Sequence, residues 1–423
     1  MIVVCEPQCT GTSHEKVNSG FLTLVRHAYP GEVIRFYADR SHVENLQQIL
    51  ALDGVSVEPL EHRNLDVRDA NSVRGVVSYR RQFKRMLRDA EAEGCREILF
   101  LSGNPMLLHL LKRLNTELRL RLAFVLHADF EDVGNAQFAD VHGTAVPEPT
   151  LRQKLGMIEL RELPAKTANY VKARVAARYA RIWKERFRTR EQLLWRAGDD
   201  YHYIALAPHV AVNAAEYLDL SKVHLHVVEM PINFATQKPV PANDHLKLAT
   251  FGYGDPASLR TVVDHLAELR PERDYEIRII GMDNRTLENI PHVSCPSPGK
   301  ALPRAEMERY AEDIDAFLIL YGRDRYRLSC SGSILEAISY VKPVIHIGNA
   351  CVEAFDRAER PIGFRCDDLA AVAALMKRMI DDPAAYRNAL QERRDNILSL
   401  RAELAMDKLA PKLRAALGRE ARA

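Results

Sequence analysis

The segment of this chain with the clearest chemical content is Ser329-Cys-Ser-Gly-Ser-Ile-Leu-Glu-Ala-Ile-Ser-Tyr-Val-Lys-Pro-Val-Ile-His-Ile. It predicts a small-residue turn, a helix opening at about Ser333, a stop before Pro343 and then a buried strand. Exposed amides of Ser331, Gly332 and Ser333 at a helix N-terminus form an anion site, because unpaired N–H groups and the helix dipole both favour negative charge; a nucleoside diphosphate would fit there. Glu336, three residues after Ser333, could project into the same crevice and accept hydrogen bonds from ribose hydroxyls. Ser333-Ile-Leu-Glu336 is also a capping box, in which Glu336 returns a bond to the Ser333 amide. The sequence leaves both readings open. Other chemistries lack their residues. The glycines of Thr10-Gly-Thr-Ser-His-Glu-Lys-Val-Asn-Ser-Gly-Phe do not make G-x-G-x-x-G, and no P-loop exists, so neither a dinucleotide oxidoreductase nor an NTPase is favoured. The cysteines at 5, 9, 95, 295, 330, 351 and 366 are odd in number and scattered without a C-x-x-C pair, which supports neither a disulfide framework nor a structural zinc site.

Such residues must be held by strands and helices, and short apolar runs alternating with longer amphipathic stretches predict βα units around parallel sheets, an α/β protein. Strands are expected at Ile2-Val-Val-Cys, Glu32-Val-Ile-Arg-Phe-Tyr, Val55-Ser-Val-Glu, Glu97-Ile-Leu-Phe-Leu, Leu122-Ala-Phe-Val-Leu and Tyr203-Ile-Ala-Leu. Helical spacing fills 17–27, 43–52 and 78–92 between them. Gln237-Lys-Pro-Val-Pro-Ala-Asn then interrupts with two prolines that neither a helix nor a central strand accepts, and reads as a linker. Strands resume at Leu246, Tyr275, Ala316 and Pro343, and strong helix formers dominate from about Leu369, broken at Asp381-Asp382-Pro383. The expected architecture is an N-terminal Rossmann-like domain over 1–236, a C-terminal Rossmann-like domain over 244–400 and a helical tail over 401–423.

The 423 residues carry 59 Lys+Arg against 57 Asp+Glu, a balance that argues against a dedicated nucleic-acid binder. No apolar run reaches eighteen residues and none resembles a signal-peptide core, so a cytoplasmic protein is expected. The stretch 166–196 differs, with ten Lys or Arg side chains against Glu185 and Glu191, while Val171, Val175, Tyr179, Ile182, Trp183 and Phe187 recur at helical spacing. It reads either as a core-packed helix with a solvated charged face or as a helix docking on an anionic membrane surface or a phosphate-bearing acceptor. The second reading implies peripheral attachment to the cytoplasmic face of a membrane.

The 329–347 segment resembles the donor-binding signature of GT-B fold glycosyltransferases of family 4, a small-residue turn followed by Glu-Ala, a short helix and Gly-x-Pro-Val-Ile; Glu336-Ala337 and Pro343-Val344-Ile345 stand in that register. Ile279-Ile-Gly281 resembles the strand whose terminal glycine lets a donor nucleotide approach the backbone, and Val227-Val-Glu-Met-Pro-Ile-Asn-Phe resembles the crossing between domains. The resemblance implies two Rossmann-like domains facing a cleft, with a nucleotide-sugar bound by the C-terminal domain and a saccharide or lipid-linked acceptor by the N-terminal domain, in surface polysaccharide assembly. It implies no cofactor beyond the donor substrate and no metal; Asp313-Ile-Asp315 matches a D-x-D pattern but lies at a helix end and a strand start. Retaining members often carry a second glutamate eight positions earlier, where this chain has Leu328. A nucleotide-sugar 2-epimerase of the same fold and a non-catalytic glycosyltransferase-like partner protein are the alternatives.

The resemblance, the anion-site reading and the need for positive charge together name donor-binding candidates Gly281, Lys300, Arg323, Ser331, Gly332, Ser333 and Glu336, the family's usual Arg and Lys pair not being plain in this sequence. A departing nucleoside diphosphate needs cations or amide donors. Arg260 and Arg304 are further choices for that charge, with Arg323 ranked first because it lies directly beyond a strand end. In the N-terminal domain the loop after the first strand faces the cleft in this family, which makes His14 and Glu15 base or contact candidates, unless Ser13 or Glu15 simply caps the helix. His127 and Asp129, at the end of a predicted strand, are the other candidates for taking a proton from an acceptor hydroxyl; a plain polar loop is the alternative.

Overall fold

The computed structural model describes residues 1–69, 72–134, 188–196, 200–239, 243–252, 254–281, 287, 289–296, 302 and 304–418. The basic stretch therefore lies outside the described residues from 166 to 187, as do Lys300 and part of the linker. The N-terminal half forms a parallel sheet of β1 (Ile2–Cys5), β2 (Ile34–Ala38), β3 (Leu60–Asn64), β4 (Glu97–Phe100), β5 (Arg121–Leu126), β6 (Tyr201–Ala205) and β7 (His224–Val227), in the order 3-2-1-4-5-6-7. The second half forms another of β8 (Leu246–Phe251), β9 (Tyr275–Ile280), β10 (Val293–Ser294), β11 (Ala316–Ile319), β12 (Val344–Ile347) and β13 (Gly363–Cys366), in the order 10-9-8-11-12-13. Every pairing in both sheets is parallel. The central strands read as continuous apolar runs because helices cover both faces, so no alternation is required of them.

The strand expected at Val55 is not formed; the strand is β3, five residues later. Residues 55–58 instead run as a loop, where the Arg26 guanidinium donates to the carbonyls of Val57 and Pro59 at 2.9 and 3.2 Å. The arginine thus satisfies the Val57 carbonyl, whereas that of Pro59 also accepts from the Ile34 amide at 3.0 Å. β3 is an edge strand of half-buried and exposed residues, polar except for Leu60, Leu-Glu-His-Arg-Asn.

The two halves share packing. The helix Met406–Ala416 lies against the helix Glu15–Ala28, labelled α1, and Arg121 donates to the Leu417 carbonyl at 3.1 Å. The helix Pro383–Glu403 packs on Gly332–Ser339, and Arg401 reaches the Ala235 carbonyl at 2.8 Å. One hydrophobic core runs from the N-terminal sheet through these helices to one face of the second sheet; a smaller core covers its other face. None of the described helices is long and apolar enough to cross a membrane.

Candidate functional site

At the C-terminal end of β1 the chain enters a loop folded around Glu6, which is fully buried. Its Oε1 accepts from the amides of Gln8 at 2.8 Å and Cys9 at 3.1 Å and from the Ser102 hydroxyl; Oε2 accepts from Asn18 Nδ2 at 3.0 Å. The loop ends at His14, the N-cap of α1, held at φ 52° with no side-chain cap bond. Neither Ser13 nor Glu15 occupies the cap position, and Glu15 lies in the first turn.

His14 and His127 are brought together, ring centroids 5.0 Å apart and planes at 63°. His127 follows β5 and its Nε2 donates to the Leu101 carbonyl at 2.8 Å, which leaves the Nδ1 lone pair as the basic site. Burial, then the nearby His14, pull its pKa down to about 4, against smaller upward pulls from the Leu101 carbonyl and Glu6. The ring is neutral at ordinary pH. Asp129 stands two residues further on, in the 3₁₀ turn Ala128–Val133.

In the C-terminal half, the helix Gly332–Ser339 opens with Ser331 as its cap, two residues earlier than the expected capping box. Ser331 Oγ accepts from the Ser333 amide at 3.2 Å, and the buried Ser331 amide donates to Cys351 Sγ at 3.2 Å, so of the three amides expected to be open two are already engaged and Gly332 is the exposed one; Ser333 Oγ donates to the Phe251 carbonyl at 2.9 Å. Tyr321 shares a hydrogen bond of 2.9 Å with Ser331 Oγ, and burial pushes its phenol up to about 12, so it stays neutral. The turn is thereby fixed to the ends of β8 and β11, the edge of an open α/β sheet where ligands bind. Gly281, after β9, has φ 119°, and a Cβ there would lie 2.8 Å from the Gly252 nitrogen. The close approach it allows in this structure is that of the Gly252 backbone. Gly281→Ala is expected to lower stability by about 1–3 kcal/mol, the cost of such strain, with the midpoint of urea unfolding as the check; an unchanged midpoint would show that the Gly252 loop gives way.

The two halves meet at Lys16, in the first turn of α1, whose Nζ lies 2.6 Å from both carboxylate oxygens of Glu336. Glu336 therefore does not make the capping-box bond. Below this contact the N-terminal half holds the loop that precedes Ser331. Glu131 Oε1 accepts from the Leu328 amide at 2.9 Å and the Ser329 hydroxyl at 2.6 Å, His209 Nε2 lies 3.0 Å from the carbonyls of Tyr326 and Ser329, and Asn213 donates to Arg327 O at 2.8 Å. Leu328, where the resemblance points to a glutamate, is buried, its Cδ1 next to Gly134.

The cations fall differently from expectation. Arg323 stands exposed on a turn and makes no hydrogen bond or ion pair among the described residues. Arg260 pairs with Asp264 at 2.9 Å and lines a cavity of about 670 Å³ with Tyr275 and His292, where β9 begins, whereas Gly281 follows its other end. Arg304 opens the helix Arg304–Glu312. Asp313 pairs with Lys247 and Arg278, and Asp315 accepts from the Lys247 amide at 2.9 Å, so both brace strand starts. Sequence reasoning missed Glu6, Lys16, Glu131 and Arg325; the nearest signal was their position in loops that follow predicted strands or open predicted helices.

No protein-family model matches the chain, and no curated protein matches it by sequence. Solved structures do match over the full length. A glycosyltransferase from Rickettsia africae is similar with a TM-score of 0.57 at 10% identity, covering 100% of this chain and 99% of that one. Anabaena HepE, solved in complex with UDP, gives 0.56 at 12%, covering 99% and 100%. Sucrose-phosphate synthase from Thermosynechococcus elongatus gives 0.58 at 12%, covering 98% and 97%. Two parallel Rossmann-like sheets, joined in this order and closed by C-terminal helices that return to the first, give the chain the GT-B fold of these glycosyltransferases.

Proposed function

We propose that the chain is a glycosyltransferase that takes a sugar from a nucleotide-sugar and passes it to a hydroxyl of a saccharide or lipid-linked acceptor, in surface polysaccharide assembly. The observation that carries this reading is the opposition of two half-sites joined at Lys16–Glu336. One is a helix N-terminus fitted for a diphosphate, the other a pair of histidines fitted for proton transfer. Structures of the same fold that hold UDP support it.

In the reaction, the acceptor oxygen attacks the anomeric carbon while the bond from that carbon to the β-phosphate oxygen breaks. His127 Nδ1 takes the acceptor's proton, and His14 lines the path beside it. The electron pair leaves with the nucleoside diphosphate, whose charge meets the exposed Gly332 amide at the opening of its helix. Glu336 turns from Lys16 toward the ribose hydroxyls, leaving an ammonium free beside the diphosphate. The N-terminal domain takes the acceptor, and attachment to the cytoplasmic face of a membrane through 166–196 would bring a lipid-linked acceptor within reach.

Titration of the purified protein with UDP, GDP, CDP and ADP and their sugars, followed by thermal melting, tests the donor site. One nucleotide is expected to raise the melting temperature, since a ligand that binds only the folded state at 100 times its Kd adds about 2.7 kcal/mol. Glu336→Ala is expected to cut that shift strongly. No shift with any nucleotide would sink the transferase reading and favour a partner protein without turnover. Interconversion of the donor sugar without transfer would identify the epimerase instead.

A further inference from the structure

We infer that Arg325 is the C-terminal half's own cation for the leaving diphosphate, a role that rests on the transferase reading above. Its backbone is immobilised: its amide donates to the Gly322 carbonyl at 3.0 Å, and its carbonyl accepts at 2.8 Å from Asn349, which is buried and also holds the Gly322 carbonyl. The guanidinium is fixed as well. It lies 5.3 Å from the ring centroids of both Tyr321 and Tyr326, and Nη1 donates to the Gly254 carbonyl at 3.1 Å. Aromatic faces hold a guanidinium without neutralising it, and planar stacking suits arginine better than lysine.

Two features place this charge at the donor site. The Tyr321 ring beneath it carries the hydroxyl that bonds Ser331, the cap of the helix Gly332–Ser339. Gly254, which it touches, follows β8 in the loop that also contains Gly252, the neighbour of Ser333 Oγ and Gly281. Arg325 is thus tied on one side to the phosphate-binding turn and on the other to the glycine loop above it. Among the described residues no carboxylate pairs with it, whereas Arg327, two positions on, is neutralised by Glu216 at 2.5 Å. Among the described residues Nη1 of Arg325 alone has a hydrogen-bond acceptor, so Nε and Nη2 retain donors for phosphate oxygens. When the bond from the anomeric carbon to the β-phosphate oxygen breaks, the added charge on that oxygen is what this fork would meet.

The test measures Kd for the nucleoside diphosphate that binds wild type, for its monophosphate and for the nucleoside, in wild type, R325Q, R325K and R323Q. Loss of one charged donor at such a position is worth about 10²–10³-fold in catalysis. R325Q is expected to weaken the diphosphate by about 10²-fold, to leave the nucleoside unchanged, and to lower kcat. R325K, which keeps the charge and loses the fork, should fall between, and it carries the test if R325Q does not melt cooperatively. If wild type prefers the diphosphate and R325Q and R325K keep that preference in full, the transferase reading stands and the role of Arg325 is overturned; transfer of the loss to R323Q overturns it in the same way. If wild type binds no nucleotide, the transferase reading itself fails and Arg325 falls with it.

Discussion

Exchanging His127 for glutamine lowers the rate of sugar transfer by about 10²–10⁴-fold, the contribution of a positioned general base, and leaves nucleotide affinity within a small factor. The geometry behind this is the 2.8 Å bond from Nε2 to the Leu101 carbonyl, which fixes the tautomer and the ring plane and leaves Nδ1 to accept a proton. Burial and the adjacent His14 hold the imidazole pKa down to about 4 in the free protein. A base is active when unprotonated, so a lowered pKa extends activity toward acid. The profile of kcat/KM is expected to stay level from about pH 8 to pH 5 and to fall only near pH 4, where His127 takes up a proton. Glutamine can still donate to Leu101 but cannot titrate, so the variant keeps the packing and loses the acid limb. A variant with near wild-type kcat, or one that retains the limb, would move the base to another group, with His14 next in line.

What could be read from sequence and what could not divides along contact distance. The 329–347 segment was legible because its signals are local. Small residues, an apolar run and Pro343 each constrain a few neighbouring torsions, and the turn, helix and strand follow in order. The central strands were legible because burial on both faces demands unbroken apolar runs. Edge strands were not: β3, β7 and β13 contain Glu, His and Arg facing solvent on one side, and their sequences match loops as well as strands. The capping box failed for a subtler reason. Ser331 and Ser333 are both competent caps, and Ser331 takes the position because Ser333 Oγ is engaged by the Phe251 carbonyl, 82 residues away in sequence. The site contacts are longer still, 320 residues from Lys16 to Glu336 and 198 from Glu131 to Ser329, and nothing in the local pattern of either partner encodes the other. Arg323 and Arg325 show the limit at close quarters. Both lie in one turn beyond β11, and only the placement of Tyr321, Tyr326 and Gly254 makes the second the anchored one.

Glu6→Ala is expected to destabilise the protein by about 3–5 kcal/mol, because it takes the acceptor from four donors and each one left buried and unpaired costs about 1–3 kcal/mol, and Glu6→Gln by less, about 1–3 kcal/mol. The order follows from which atoms donate. Oε1 serves the two backbone amides and the Ser102 hydroxyl, and a glutamine carbonyl can keep all three. Oε2 serves Asn18 Nδ2, and a glutamine amide there would set two N–H groups against each other. Asn18 cannot turn over to resolve this. Its amide also lies 2.9 Å from His42 Nε2, and His42 Nδ1 lies 2.9 Å from the Gly11 carbonyl, which only an N–H can satisfy; Nε2 is therefore the acceptor and Asn18 must donate to it. Alanine removes the acceptor from all four donors and leaves them buried. Gly11 belongs to the loop that ends at His14, so the loss reaches the site: the variants should lose transfer activity in the same order as they lose stability, and because the Glu6 charge is one of the upward pulls on His127, both should move its titration further toward acid. Urea unfolding gives the stabilities. If Glu6→Gln proves as damaging as alanine, the three donors on Oε1 are not what the carboxylate supplies, and the negative charge itself must be holding the loop.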